Sequence, residues 1–568
     1  MRKILVILAL ITVLPLSALA QEPGSGGPVI EANISGNANI GSFNLLRCSG
    51  TDCARIGQFL FPGLVGVNPE TGDFASAEQF PSTALALRWE ISEDGKEYTF
   101  YMRDDAFWSD GNPITANDVK FSFDAIASGE IESDLSGYVD AFVQSVEVID
   151  DYTVKFTFGE ASCDALSLAG AVYPLPSQYF GGDFTKMVDP EFDRSPAVTG
   201  GIFNFGRFDG DQIVLTANPN AWGVINDVVI PEGFIYVDVP DTTVAVERLL
   251  SGEINFLDGP ERQRRQELID SPDVQTFEFP ANGWNYIGLN LADPTNPQNG
   301  LDEDGNPIDQ GHHPILGDVQ VRRALQLAMN VQEMIDIVSL GQGVQMAANE
   351  IPSSWAISPD LQPIPHDPDA AAAMLDEAGW VLGDDGVRVC QGCEYAEEGT
   401  PLRFALLVPD GSVNAERIAL LFQDQLKAVG VEVDVQILDF NTVVSQITGQ
   451  TFDAVLLAWS NGYPVNPDVA QIFNASADVV GAGFNFTSYR NPDMEALNEQ
   501  ARVLPGCDPA ERAALYWQVQ ETLQNDQPYL WLYTANDMYA ARAEVEGFSP
   551  FANQPFWNVE TWQIDQPR

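Results

Sequence analysis

The sequence predicts a multi-domain α/β protein, and three observations carry that prediction. Strand-like and helix-like periodicities alternate along the chain. Its 568 residues exceed the ~250–300 at which a single hydrophobic core stops growing. No period of ~20–50 residues recurs, which excludes a solenoid or propeller. Residues 235–239 alternate apolar and polar side chains as a half-buried strand does, 242–250 follow with helical spacing, and Gly252 turns the chain into 254–256. A second β-α-β unit runs from 402–408 through a helix at 414–428, stopped by Gly430, to an alternating strand at 431–438. Residues 452–458 form a nearly unbroken apolar run, the mark of a strand covered on both faces. Helices are expected at 319–339, 367–378 and 508–523, the last two opened by Asp367-Pro368 and Asp508-Pro509, an N-cap followed by a proline in the first turn.

Composition narrows the function. An apolar fraction of 45% with 10% aromatics describes a packed globular chain. With 82 acids against 27 Lys and Arg the formal net charge is −55, so nucleic acid and anionic bilayers are repelled and neither is an expected partner. Met1-Arg2-Lys3 is a basic start, 4–13 an apolar run and Ala18-Leu19-Ala20 a small-residue cleavage site, so 1–20 are expected to be a signal peptide and 21–27 a flexible leader. No cysteine stands at the cleavage point to carry a lipid anchor, and a periplasmic or extracellular location with no membrane insertion is expected. Six cysteines in an exported chain point to disulfides. Cys48 with Cys53 and Cys390 with Cys393 are close enough to close local loops, which leaves Cys163 and Cys507. Six cysteines allow 15 pairings, so spacing alone does not join that last pair.

A resemblance then covers nearly the whole chain after residue 27. The segments FPGLV at 61–65 and ALALRWEISEDGKEYTF at 84–100 are followed by Arg103-Asp104, FWSDG at 107–111 and TANDVKFSF at 115–123. In that order they resemble the family 5 extracytoplasmic solute-binding proteins. Thr199-Gly200-Gly201, LTANPNAW at 215–222, LSGE at 250–253, DVQVRRALQLAM at 318–329 and DPDAAAAMLDEAGW at 367–380 continue the match. The resemblance implies a two-lobed periplasmic-binding-protein type II fold with an additional third domain, acting as a receptor for an ATP-driven importer and breaking no bond. It implies lobe I at 28–72, 194–288 and 532–568, the extra domain at 73–193 and lobe II at 289–531. The lobes are then joined by crossings near 287–290 and 529–535, where closure should concentrate. A monomer working with importer membrane subunits, without cofactor or metal, is the implied state.

Candidate ligand-binding residues come from aromatic side chains beside turns. Trp459, Asn461 and Tyr463 follow directly on the buried strand, and ligands in open α/β sheets bind outside the carboxyl ends of strands. Trp284 and Asn285 lie at the proposed hinge, where alternation sets Trp284 with Tyr286 on one face and Asn285 on the other. Trp355, in the loop after the 319–339 helix, is a further candidate. Peptide-binding relatives show W-x-x-D at the Trp459 loop, the acid pairing with the peptide amine. Here the fourth residue is Gly462, and apolar Ile447 and Leu456 stand where relatives place bases. The sequence therefore leaves open a longer peptide held by its backbone, a glycoside or another polar solute. Only His312, His313 and His366 could bind nickel, and two of these sit in an insertion. In the same insertion, residues 302–309 space oxygens like the start of a calcium loop, but Pro307 replaces the glycine such a loop needs and His313 its final Glu, so a solvated turn is expected. The alternative from another class is a secreted, glycosidase-like hydrolase using paired carboxylates. The chain lacks G-x-S-x-G and H-E-x-x-H, and with 82 acids chance pairs do not discriminate.

Overall fold

A computed structural model describes residues 27–35, 40–48, 50–79, 84–221, 231–462 and 464–564. The expected signal peptide, all of the leader but Gly27, and Tyr463 lie outside the described residues. Three sheets organise the fold. The largest has eight strands, in the order Val274–Pro280, Tyr533–Arg542, Phe256–Asp258, Val29–Asn33, Gly233–Asp238, Gln212–Ala217, Phe203–Phe208, with Gly343–Gln345 added on the Tyr533–Arg542 strand. A five-stranded sheet runs Glu432–Leu438, Arg403–Pro409, Ala454–Ser460, Gly283–Leu289, Tyr529–Trp531. A four-stranded antiparallel sheet runs Ala86–Ile91, Glu97–Met102, Thr153–Phe158, Val143–Asp150.

Both β-α-β units form as the periodicity requires. Gly233–Asp238 leads through the helix Thr242–Ser251 to Phe256–Asp258, and Val29–Asn33 lies between these two strands, parallel to both. Gly252 takes the left-handed turn at φ 79°, where a glycine carries no Cβ penalty. The second unit pairs Arg403–Pro409 directly with Glu432–Leu438, with Gly430 at φ 84° after the helix Val413–Ala428. Asp367 and Asp508 cap their helices as expected, Asp508 accepting from the N–H of Ala510 and Glu511. The expected 319–339 helix is instead two, Val319–Ala328 and Val331–Val338. Asn330 breaks it: its side chain accepts from the Glu333 N–H to start a new helix, and its own N–H turns away to the Gln425 side chain.

The middle of the five-stranded sheet is buried on both faces. Ala454 and Leu456 point into one core with the 319–338 helices, and Val455 points into another with Trp284, Tyr286, Tyr529 and Trp531. The four-stranded sheet shares a continuous core with the large one, Phe100 and Phe156 joining Phe59, Phe203 and Phe234. All six cysteines are paired: Cys48–Cys53, Cys390–Cys393 and Cys163–Cys507. The third bond spans 344 residues and joins the region after the four-stranded sheet to the turn between helices Pro492–Arg502 and Pro509–Asp526.

The chain passes from the large sheet to the five-stranded one through Ala281 and Asn282 and returns through Leu532. The first passage was expected near 287–290. It falls earlier because Gly283–Leu289 pairs along its whole length with Ala454–Ser460. The two passages touch: the Ala281 N–H donates to the Ala535 carbonyl at 2.8 Å, and the Thr534 hydroxyl donates to the Gly283 carbonyl at 2.6 Å. Buried Arg265 braces them from the large-sheet side, donating to the Pro260 carbonyl, to the Asn536 carbonyl at 2.9 Å and to Gln342 at 2.8 Å.

Candidate functional site

The strand Gly283–Leu289 is the centre of the candidate site. Antiparallel pairing sets Trp284 opposite Trp459 and Tyr286 opposite Trp531, so by alternation one sheet face carries Trp284, Tyr286, Trp459, Tyr529 and Trp531. The rings are in contact. Tyr286 stacks on Tyr529 with centroids 4.1 Å apart and on Trp459 at 5.9 Å. Trp284 packs on Trp531 at 5.6 Å, and Phe486 lies over Tyr529 at 6.2 Å. Gly288 makes room for them, since a Cβ there would come within 3.1 Å of Phe486 and 3.4 Å of Tyr529.

Exposure increases along this cluster. Tyr286, Tyr529 and Trp531 are fully buried and Trp284 is 2% exposed, whereas Trp459 is half-buried and Phe484, edge-on to Trp459 at 6.0 Å, is 55% exposed. The Trp459–Phe484 end is thus the part of the ring cluster a solute can reach. The Trp459 indole N–H donates to the Tyr529 hydroxyl at 3.4 Å, and burial pushes that phenol well above its usual range. The rings therefore stay neutral, offering apolar faces and one fixed dipole.

The loop after Ser460 is fastened to the first sheet passage. The Asn461 N–H donates to the Asn282 carbonyl at 2.8 Å, and the Asn282 amide donates to the Asn461 carbonyl at 2.6 Å. Gly462 is exposed, and a Cβ on it would meet nothing within 4 Å. Asn285 lies on the opposite sheet face from Trp284, its amide donating to the Tyr533 carbonyl at 3.2 Å while its carbonyl accepts from the Leu532 N–H. It therefore clips the second passage. Trp355 is half-buried and separate from the ring cluster: its indole N–H donates to the Val465 carbonyl at 3.0 Å, its ring meets Tyr516 edge-on, and the Arg512 guanidinium lies 5.2 Å above it. The structure thus brings together Trp459, Trp284 and the Asn461 backbone, and sets Asn285 and Trp355 on other surfaces. Phe484, Phe486 and Tyr529 escaped the sequence reading. Tyr529 and Trp531 carried a signal in their alternation, but Phe484 and Phe486 sit in a glycine-rich loop with no periodicity to place them.

Two buried carboxyls are shifted by their surroundings. Glu350 is 5% exposed, one oxygen accepting from the Asn349 amide at 3.1 Å, and burial outweighs a hydrogen bond from Ser354 to push it up to about 7. Beside the large sheet, Arg55 bridges Glu31 and Asp258, and burial outweighs the guanidinium to push Glu31 up to about 8. Two of the three histidines, His313 and His312, are otherwise engaged. His313 is 2% exposed, its Nδ1 accepting from the Ile315 and Leu316 N–H groups, so Nε2 carries the proton toward Asp453 at 3.1 Å. His312 stacks on Tyr395. Asp302 uses its carboxylate to accept from the Asp304 and Asn306 N–H groups, closing the 302–309 turn on itself.

A sequence profile of the bacterial extracellular solute-binding proteins, family 5 Middle, matches residues 81–480. The chain is 27% identical over 501 residues to the oligopeptide-binding protein AppA of Bacillus subtilis (strain 168), covering 84% of this chain and 83% of that protein. It is 25% identical over 498 residues to the dipeptide-binding protein of Escherichia coli (strain K12), covering 84% and 85%. In fold it is similar to the structure of HbpA2 from Haemophilus parasuis, with TM-score 0.79, 21% identity, and 95% of this chain and 100% of that one covered.

Proposed function

Because this chain belongs to the family 5 bacterial extracellular solute-binding proteins, we propose that it is an extracytoplasmic receptor that captures a peptide between two lobes and passes it unaltered to the membrane subunits of an ATP-driven importer. In this reading the large sheet forms one lobe with the four-stranded sheet as its extra domain, the five-stranded sheet forms the other, and the paired passages at Ala281–Asn282 and Leu532 are the hinge. The observation that carries it is the half-exposed Trp459–Phe484 edge, hydrogen-bonded through Asn461 to the first passage. A solute lying on that edge touches both the ring cluster and the segment on which closure would turn.

The peptide reading draws on relatives that bind oligopeptides and dipeptides. At Gly462 no carboxylate meets a peptide amine. The main contribution then comes from the peptide backbone and an apolar side chain over Trp459 and Phe484, which favours several residues over two. We take the chain to be exported with residues 1–20 removed. No helix among the described residues is long and apolar enough to cross a membrane. A thermal-shift screen with dipeptides, nonapeptides, N-acetylated nonapeptides and nickel–histidine tests the proposal. A ligand at 100 times its Kd stabilises by ~2.7 kcal/mol. Nonapeptides should raise the midpoint whether or not the amine is blocked. A response confined to free-ended dipeptides or to nickel–histidine would contradict the ligand class, and no response to any of them would contradict the receptor.

A further inference from the structure

We infer that the Cys163–Cys507 disulfide is a covalent strap across the two lobes, limiting how far the receptor opens. The inference rests on the two-lobed reading above. Cys163 belongs to the extra domain, five residues past the end of the strand Thr153–Phe158, and its neighbour is held to that sheet: the Tyr98 hydroxyl, on the strand Glu97–Met102, donates to the Ser162 carbonyl at 3.1 Å. Cys507 belongs to the other lobe, in the turn that connects Pro492–Arg502 with Pro509–Asp526. A local loop-closing bond would sit inside one core, as Cys390–Cys393 does. This one joins parts that share no sheet.

The contact around the bond is built rather than incidental. The Cys163 N–H donates to the Arg502 carbonyl at 2.8 Å, which fixes the extra domain to the end of a helix in the other lobe. Arg512 is 8% exposed and donates to Asp164 at 3.4 Å, to the Ala501 carbonyl at 3.1 Å, and lies over Trp355. Trp355 in turn donates to Val465, six residues beyond Trp459 on the loop that borders the ring cluster. The strap is therefore mechanically continuous with the candidate ligand loop.

Distance makes the constraint severe. Between Cys507 and the strand Tyr529–Trp531 runs the helix Pro509–Asp526, 18 residues, so the bond stands ~27 Å along that helix from the second sheet passage. Disulfides tolerate Cα separations up to ~6.8 Å. The present separation is 5.4 Å. The slack is ~1.4 Å, and on a ~27 Å lever it permits only ~3° of rotation that pulls the two cysteines apart. Wider opening would require the extra domain to travel with the other lobe, or the swing to occur about the line from hinge to strap.

The test uses the full mature chain without solute. Small-angle scattering compares the parent with Cys163→Ser/Cys507→Ser, with Cys48→Ser/Cys53→Ser as a control that removes a bond inside one lobe. A second variant keeps the bond but lengthens the strap, with four Gly-Ser residues inserted on each side of Cys507, between exposed Pro505 and Gly506 and between Cys507 and exposed Asp508, so that neither flanking helix holds it closely and each insertion adds up to ~13 Å of reach. A compact chain of this size has a radius of gyration near ~24 Å. The strap-free and lengthened variants should both exceed the parent by at least ~1 Å, and the control should match it. If the double variant does not fold, the lengthened variant decides alone. A folded, lengthened variant with the parent's radius overturns the strap, even where nonapeptides still bind and the receptor reading stands. Failure of the receptor reading shows separately, as a parent that binds none of the screened peptides.

Discussion

Replacing Trp459 with Ala should weaken peptide binding at least ~10-fold while costing the fold less than the same change at Trp284. The ring is half-buried, stacked on Tyr286 at 5.9 Å and met edge-on by Phe484 at 6.0 Å. Such pairs contribute ~0.5–1.5 kcal/mol each, so truncation should cost the fold ~1–3 kcal/mol. Trp284, its register partner, is 2% exposed among Tyr286, Tyr529 and Trp531. Truncating that ring leaves a cavity, which costs ~3–5 kcal/mol. If the solute lies on the exposed edge of Trp459, its loss removes a desolvated stacking surface and raises Kd at least ~10-fold, which is ~1.4 kcal/mol. Trp284→Ala should show the reverse pattern, a larger drop in midpoint with a smaller change in affinity per folded molecule. The assay is calorimetric titration with the best nonapeptide from the screen, beside thermal midpoints of both variants. A Trp459→Ala protein with the parent's affinity and a midpoint as low as that of Trp284→Ala would show that the ring is core, and the reasoning would fail.

Two further outcomes follow from the geometry. Gly462 is open to solvent at a φ outside the left-handed region, so Gly462→Asp should fold with the parent's midpoint and tighten binding of free-amine dipeptides ~10-fold over their N-acetyl forms; equal effects on both would contradict the assignment of that loop. Burial raises the carboxyls of Glu31 to about 8, Glu350 to about 7 and Asp478 to about 6. Between their ordinary range and those values the folded chain holds more protons than the unfolded one, so these groups stabilise fully at acidic pH and lose that contribution as pH rises toward 8. The midpoint should be higher at pH 5 than at pH 8, and Glu350→Gln should raise it at pH 8 while leaving pH 5 nearly unchanged; a Glu350→Gln midpoint lowered equally at both would contradict this.

Local signals in the sequence placed the strand-helix units and failed where tertiary contacts decide. The 452–458 strand announced its two-sided burial because both faces demand apolar side chains, and Asp367 and Asp508 announced their helices because a cap is chemistry within four residues. The apolar spacing across 319–339 reads as one helix, yet the Gln425 side chain, 95 residues from Asn330, takes its N–H and breaks the helix there. The sheet passage was misplaced for the same reason, since only pairing with Ala454–Ser460 shows where Gly283–Leu289 belongs. At the candidate site Trp459 and Trp284 were legible as aromatics beside a strand end, but which of them faces solvent depends on Tyr529, Phe484 and Phe486, brought in from 25 or more residues away. Cys163 and Cys507 were legible only as a remainder, because no sequence rule joins residues 344 apart.

The account stands on a peptide being enclosed and left whole. Small-angle scattering of the mature chain with and without a bound nonapeptide, with mass spectrometry of the recovered peptide, tests this most directly. The account predicts a smaller radius of gyration in the complex, within the narrow range the strap allows, and a peptide of unchanged mass. A bound peptide recovered as fragments, or a complex scattering identically to the free chain in both the parent and the lengthened-strap variant, would contradict it.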